Sequence, residues 1–266
     1  MSSTLISVLI LLVMLGFAFI KALPVYRETK RMYKDTPQIN PKTALSVAQQ
    51  WAIAAGANLA SLNGNFVNTL KTGNASSTAK TILKRDWRIE TRQDAIETIE
   101  WLQESGHSLY FEIIQDVIAA NPIPNHIKAL QVMQTKLEEA GHDRNLLEYY
   151  QNLQAGVNKL VEDGIIKGTY TNHILSWDLG RVINLCRWCY DVKLFSESEA
   201  WQYIMPAAKR LQQSYPSWQD LSTGYLLGRV MWGGIREDYN LMIPWHKTLL
   251  EHPQSPWVTL SWQQPL

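Results

Sequence analysis

Two apolar, tryptophan-rich segments of the chain carry an acid and two arginines whose chemistry would be anion binding. Asp178 and Arg181 lie three residues apart, which places both on one face of a helix and lets them form an ion pair. Arg229 lies in the middle of a second apolar segment, where an arginine must reach the surface or meet an acid such as Asp178. These three residues are the candidate polar site. They predict either a structural ion pair or a site for an anionic group.

Tryptophan is abundant around this polar site. The chain has 11 tryptophans in 266 residues, and five of them form the candidate aromatic surround: Trp177, Trp188, Trp201, Trp218 and Trp232. Tryptophan combines a large apolar surface with one N–H donor, and together with arginine it dominates the energetics of protein interfaces. If the five rings bury the polar residues, the site is structural. If the polar residues line an open pocket, ligand binding is favoured.

Other chemistry finds little support in the sequence. Cys186 and Cys189 have the two-residue gap of metal and redox motifs, but zinc needs two further ligands and the six histidines are scattered. We therefore expect no metal and no cofactor. His107 follows Gly106 at a predicted helix end, which is typical of a structural histidine. No catalytic motif is present, so a non-enzymatic role is favoured, and a net charge of +1 argues against nucleic acid as a partner.

The elements that position these residues are helices. From residue 43 onward apolar residues recur at helical spacing, and no window alternates as a strand would. The pattern predicts one helical stretch over 43–70, or one that is broken near Gly64, and helices over 176–190, 196–213 and 217–232. Ser196 and Ser217 are the expected caps of the last two. Gly224 and Gly228 predict close packing of another helix, and the tail after Pro244 is expected to wrap the surface. The predicted fold class is all-α, with a helical-bundle-like soluble domain.

The N-terminal residues predict a membrane anchor. Residues 5–20 are apolar and uncharged, and together with their neighbours they are long enough to cross a bilayer as a single transmembrane helix over 1–23, with residues 3–23 in contact with lipid. A cleaved signal peptide is disfavoured because no basic residue precedes the apolar run. The basic residues all follow it, in or next to a juxtamembrane linker over 24–42: Lys21, Arg27, Lys30, Arg31 and Lys34. The positive-inside rule then predicts a single-pass protein of the inner membrane with its C-terminal domain in the cytoplasm.

Several short motifs resemble a known family. They are Trp177-Asp178-Leu179-Gly180-Arg181, Arg187-Trp188-Cys189-Tyr190, Ser196-Glu197-Ser198-Glu199-Ala200-Trp201, Ser217-Trp218-Gln219-Asp220 and Tyr225-Leu226-Leu227-Gly228-Arg229 with Trp232. These motifs resemble the bacterial domain of unknown function numbered 1266, specifically over 176–234 and more weakly upstream to Asp86. The resemblance implies a helical domain over 85–266 and no catalytic residues, since the family has no assigned activity. Residues 43–84 are then expected to be a helical extension.

Two functions are compatible with these features. The first is a membrane-anchored protein that binds a protein partner at the cytoplasmic face, one version being an immunity protein against an interbacterial toxin. The second is an enzyme or small-ligand binder built around Asp178, Arg181 and Arg229. We favour the first from the sequence, because the chain has a predicted anchor and many tryptophans but lacks a catalytic motif.

Overall fold

The computed structural model describes residues 36–142, 145–167, 173–236 and 239–266. The predicted anchor over 1–23 and most of the predicted linker lie outside these residues. Among the described residues, none of the helices combines the length and the apolar character that a membrane crossing requires.

The described part of the chain is all-helical, as the sequence predicts. It contains twelve α-helices and one short 3₁₀ turn, and its one β-type pairing is an isolated bridge between Gln38 and Phe66. The α-helices are α1 (Val47–Ala54), α2 (Ala57–Leu62), α3 (Ser76–Trp87), α4 (Arg92–Glu104), α5 (Ser108–Ala120), α6 (His126–Glu139), α7 (Leu146–Glu162), α8 (Leu175–Asp191), α9 (Glu197–Ser214), α10 (Trp218–Gly233), α11 (Tyr239–Glu251) and α12 (Pro256–Thr259).

Helix α8 forms the centre of the domain. Of its 17 residues, 14 are buried, and it packs against α2, α3, α4, α9 and α10. Helix α10 crosses it closely, because a Cβ on Gly228 would lie 2.3 Å from the Cβ of Trp177. The predicted close approach at Gly228 is therefore confirmed. A helix buried on all sides must carry its polar residues inward, and this places the candidate polar site inside the domain.

The prediction of one continuous helical stretch over 43–70 is wrong, whereas its alternative, a break near Gly64, is confirmed by the end of α2 at Leu62. The chain turns at Ala55 and Gly56 between α1 and α2, and the residues from 63 to 75 are largely non-helical. Contacts from α8 explain the difference. A Cβ on Gly56 would lie 2.8 Å from the Nδ2 of Asn184, and Arg187 donates hydrogen bonds to the carbonyls of Phe66 and Leu70 at 2.5 and 3.3 Å. These partners lie more than one hundred residues away in sequence, beyond the reach of a local pattern. Helix α1 also shares the main hydrophobic core with α8, α9 and the tail.

The predicted surface tail after Pro244 is also wrong. Pro244 lies inside α11, where it removes one helical hydrogen bond. Burial of one face of this helix, which includes Met242, Trp245 and Leu249, outweighs that loss. Further on, Trp257 is 5% exposed and donates a hydrogen bond from its Nε1 to the carbonyl of Ala54 at 2.8 Å, so the tail belongs to the core.

Candidate functional site

The carboxylate of Asp178 is completely buried and caps the N-terminus of α5. Its Oδ1 accepts a hydrogen bond from the backbone N–H of His107 at 3.0 Å. Its Oδ2 accepts from the backbone N–H and the hydroxyl of Ser108, at 2.8 and 2.6 Å. The N-terminal N–H groups of a helix carry partial positive charge, so a carboxylate is favourable there. Asp178 on α8 thus caps a helix about 70 residues away in sequence.

Arg181 completes this buried network. Its Nη2 lies 2.5 Å from the Oδ1 of Asp178 and 2.9 Å from the Nδ1 of His107, and its Nε donates to the carbonyl of Trp177 at 2.8 Å. Because a guanidinium only donates hydrogen bonds, the Nδ1 of His107 must accept, which makes this imidazole the neutral form with its proton on Nε2. Asp178 therefore pairs with Arg181 on the same helix, as the spacing predicts.

Burial and the nearby charges and hydrogen bonds have opposing effects on the pKa of each member of this ion pair. Burial alone would raise the pKa of Asp178, but hydrogen bonding at His107 and Ser108 and the charge of Arg181 outweigh it, and the pKa is lowered. Burial lowers the pKa of Arg181, while Asp178 opposes that change. Asp178 is thus held as a carboxylate and is committed to hydrogen bonds that fix its geometry.

Gly106 is required by this arrangement. Its φ is +55°, in the left-handed region, and a Cβ on it would lie 2.5 Å from the Cγ of Asp178. Sequence reasoning identified Gly106 and His107 only as a helix boundary. Their contact with Asp178 was missed, because the two segments are distant in the chain and only a glycine before a helix start hinted at it.

Arg229 does not join the Asp178 network. It is 4% exposed, its Nη1 donates to the carbonyl of Gly234 at 3.4 Å, and its Cζ lies 5.2 Å from the ring of Trp232. Asp178 forms its ion pair with Arg181 at 2.5 Å, and the neutral His107 ring lies 3.6 Å away, so the predicted pairing of Asp178 with Arg229 is wrong. Arg181 lies closer along the same helix and takes that position.

Arg181 and Arg229 nevertheless border the same cavity. It has a volume of about 1000 Å³ and lies among α2, α3, α4, α8, α10 and α11. We call it the arginine–tryptophan cleft. Among the described residues its lining includes four arginines, namely Arg85, Arg88, Arg181 and Arg229.

Five tryptophans share the lining of this cleft, namely Trp87, Trp101, Trp177, Trp188 and Trp232. The Cζ of Arg181 lies 4.1 Å from the centre of the Trp177 ring, and the rings of Trp177 and Trp232 are 5.8 Å apart. Each of the two buried guanidinium groups therefore packs on a tryptophan face, where the ring quadrupole attracts a cation.

Residues 82–262 match the family described as "Protein of unknown function (DUF1266)". The chain belongs to the DUF1266 family. No curated protein and no solved structure matches the chain. The part of the chain matched to DUF1266 contains the whole Asp178 network and every arginine and tryptophan of the cleft, whereas α1 and α2 precede it.

The predicted aromatic surround divides into two places in the DUF1266 domain. Trp177, Trp188 and Trp232 line the cleft. Trp218 instead contacts Trp51, Trp257 and Trp262, with ring centres 4.6, 5.6 and 4.8 Å apart, and joins the tail to α1. Trp201 is half-buried on α9, where its Nε1 lies 3.4 Å from Glu197.

The two cysteines of the DUF1266 domain are core residues. Both are fully buried; burial raises the pKa of the Cys189 thiol to about 12 and raises that of Cys186 well above its usual range. Protonated, buried thiols are poor nucleophiles and poor metal ligands. Within the described residues, no group of three or more histidine, cysteine or acidic side chains is placed to hold a metal ion.

Proposed function

We propose that the DUF1266 domain binds a small anionic organic molecule in the arginine–tryptophan cleft. One observation carries this proposal: Arg181 and Arg229 are at most 5% exposed, yet both line one open cavity and both pack on tryptophan rings. Guanidinium groups held in a fixed orientation at low solvent exposure are suited to bind carboxylate or phosphate oxygens.

The balance of charge in the cleft also supports an anion. Its four arginines outnumber the two carboxylates of the lining, those of Asp86 and Glu97. Asp178 offsets the charge of Arg181 but does not itself line the cleft. Arg88 is exposed at the cleft, where its charge adds to that of the buried arginines.

The same geometry favours binding over catalysis. A general base must be able to accept a proton from a substrate, but both oxygens of Asp178 already accept hydrogen bonds from His107, Ser108 and Arg181. The thiols of Cys186 and Cys189 are buried away from the cleft. Asp178 and the two cysteines are therefore unsuited to act on a ligand, whereas the described arginines and tryptophans of the cleft are suited to hold one.

A fluorescent anion tests this proposal. We expect 8-anilinonaphthalene-1-sulfonate to bind saturably to the folded domain, and Arg229→Gln to weaken binding about tenfold, because a hydrogen bond to a charged group is lost. Arg92→Gln is the matched control, since Arg92 is exposed and pairs with Glu199 outside the cleft. Near-ultraviolet circular dichroism must show native packing in each variant, since this dye also binds partly unfolded states. Equal affinity in the wild type, Arg229→Gln and Arg92→Gln would refute the cleft as the site.

Binding of a protein partner is our second proposed function, including the immunity role. It is supported by exposed apolar side chains in the 3₁₀ turn before α6 and in the first turn of α6, where Ile123 is 78% and Ile127 is 51% exposed. Exposed apolar groups of this kind occur at protein interfaces. Affinity purification after crosslinking should recover one stoichiometric protein, and the double variant Ile123→Asp, Ile127→Asp should lose it. Recovery of the same protein by both forms would exclude this surface.

We also propose that residues 1–23 anchor the protein in the inner membrane with the DUF1266 domain in the cytoplasm. This proposal rests on the apolar run and on the basic residues that follow it. We expect the protein to stay in the membrane fraction after alkaline extraction and to resist protease added to spheroplasts. Digestion of the domain under those conditions would reverse the proposed orientation.

A further inference from the structure

Two buried arginines and two exposed apolar side chains line the arginine–tryptophan cleft. Inside, Arg229 is 4% and Arg181 is 5% exposed. At the rim, Trp232 is 42% and Leu241 is 54% exposed, although both are large apolar side chains. Exposed apolar groups beside a cavity that also holds guanidinium groups are suited to a ligand with an apolar part and an anionic part.

From this arrangement we infer that the ligand of the cleft is a single-chain amphiphile. Its anionic head, a carboxylate or a phosphate, lies inside against Arg181 and Arg229, and its apolar chain leaves the cleft over Trp232 and Leu241. The inference rests on the proposed anion binding and adds the second half of the ligand. Such a molecule brings an anionic oxygen to the buried guanidinium groups and removes the rim side chains from water at the same time.

A buried donor marks the place of the head group. Trp177 is 5% exposed and lines the cleft, and its Nε1 has no hydrogen-bond partner within the part of the chain that the structure describes. An indole N–H can only donate, and a buried donor without an acceptor is unfavourable. An oxygen of the head group near Arg181, whose Cζ lies 4.1 Å from the Trp177 ring, would supply the acceptor.

The tryptophan faces favour a flexible chain over a stacked aromatic ring. Arg181 already covers one face of Trp177, and Arg229 lies 5.2 Å from the ring of Trp232. The remaining lining is aliphatic at several points, including Leu59, Ile82 and Met242. An alkyl chain can follow such a surface, since its contact with apolar groups does not depend on direction.

The test measures how affinity depends on chain length. Sodium alkanoates and alkyl phosphates of 4–12 carbons are titrated below their micelle concentrations and followed by tryptophan fluorescence. We expect affinity to rise about threefold to fourfold per methylene until the chain passes the rim. Alkyltrimethylammonium salts of the same lengths should bind at least tenfold more weakly, because their head group is a cation.

Variants separate the two halves of the ligand. The double variant Trp232→Ala, Leu241→Ala should flatten the dependence on chain length, whereas Arg229→Gln should weaken all lengths by a similar factor. Val258→Ala is the matched control, since Val258 is 47% exposed on α12 outside the cleft. Equal binding of anionic and cationic series would overturn the anionic head.

Two further outcomes separate this inference from the proposed function. Saturable binding of anilinonaphthalene sulfonate without any dependence on alkyl chain length would overturn the amphiphile and leave anion binding intact. If the dye does not bind either, both proposals fail. Vesicles of phosphatidylglycerol serve as a competitor in the last experiment. Displacement of a bound decanoate by vesicles at equal lipid concentration would identify a bilayer lipid as the source and overturn the single-chain ligand.

Discussion

The Oδ1 of Asp178 lies 2.5 Å from the Nη2 of Arg181 inside the domain, and the carboxylate of Asp178 also caps the N-terminus of α5. The carboxylate of Asp178 therefore connects the N-terminus of α5 to Arg181, which lines the arginine–tryptophan cleft. Removal of the acid would leave both the α5 N–H groups and the buried guanidinium without their anion. Removal of the arginine would leave the acid at a helix N-terminus, where a negative charge is still stabilised. The two partners are therefore unequal in their effect on folding.

Asp178→Asn should destabilise the domain by about 3–5 kcal/mol, because it leaves Arg181 as a buried charge without a partner. Urea unfolding followed by circular dichroism measures this change. Asp86→Asn is the control: Asp86 pairs with Arg85 at 2.6 Å, but both side chains are exposed, and such pairs contribute about 0–1 kcal/mol. Similar losses in the two variants would show that the Asp178 pair is no more important than a surface contact.

Gly228→Ala should destabilise the domain by about 1–3 kcal/mol through overpacking, since the new Cβ would lie 2.3 Å from the Cβ of Trp177. This loss would occur even though alanine in place of glycine favours a helix by about 1 kcal/mol. Gly180→Ala in α8 is the matched control, because its nearest neighbour would lie at an ordinary 3.7 Å. We expect that variant to be neutral or more stable in the same urea titration. A stabilised Gly228→Ala protein would contradict the close crossing of α8 and α10.

Stability should fall in mildly acidic solution because of His246. Burial lowers the pKa of His246 to about 4, from an ordinary value of 6.5. Between these values the unfolded chain binds a proton that the folded protein does not, so stability is fully present above pH 6.5 and is lost as the pH falls towards 4. The difference corresponds to about 3 kcal/mol. Urea midpoints between pH 4 and 7 measure this loss.

His246→Gln removes this titrating group and should flatten the curve over the same range. The neutral ring of His246 contacts the hydroxyl of Ser222 at 2.7 Å, and Ser222 accepts a hydrogen bond from Asn58 at 2.9 Å. His252→Gln is the matched control, because His252 directly follows α11, the helix that contains His246. An unchanged pH dependence in His246→Gln would assign the acid sensitivity to other groups. His173, whose pKa is also lowered by burial, would be the next to examine.

Local features of the fold were predictable from the sequence. Ser196 and Ser217 cap the helices that they were expected to begin, because capping depends on residues only three positions apart. The pair of Asp178 with Arg181 follows from the same kind of spacing. Such features need no knowledge of the tertiary structure.

Features that depend on distant residues were not predictable. The partners of Asp178 lie 70 and 71 residues away, and the loop after α2 is held by Arg187 across more than one hundred residues. The position of Arg229 in the cleft, away from Asp178, likewise depends on how α10 crosses α8. A periodic pattern shows which residues of a helix face inward, but not which other helix they meet.

A cluster of tryptophans joins the tail to α1 and α10. Trp218 contacts Trp51 and Trp262 with ring centres 4.6 and 4.8 Å apart, and its Nε1 donates to the carbonyl of Leu260 at 3.1 Å. Trp218→Ala should cost about 3–5 kcal/mol, because it opens a large cavity between α1, α10 and the tail. Trp232→Ala, at the half-exposed cleft rim, should cost clearly less in the same urea titration. Trp218→Ala should also reduce the near-ultraviolet circular dichroism signal, since aromatic rings in contact contribute strongly to it. If both variants were equally stable, the tail would not be part of the core.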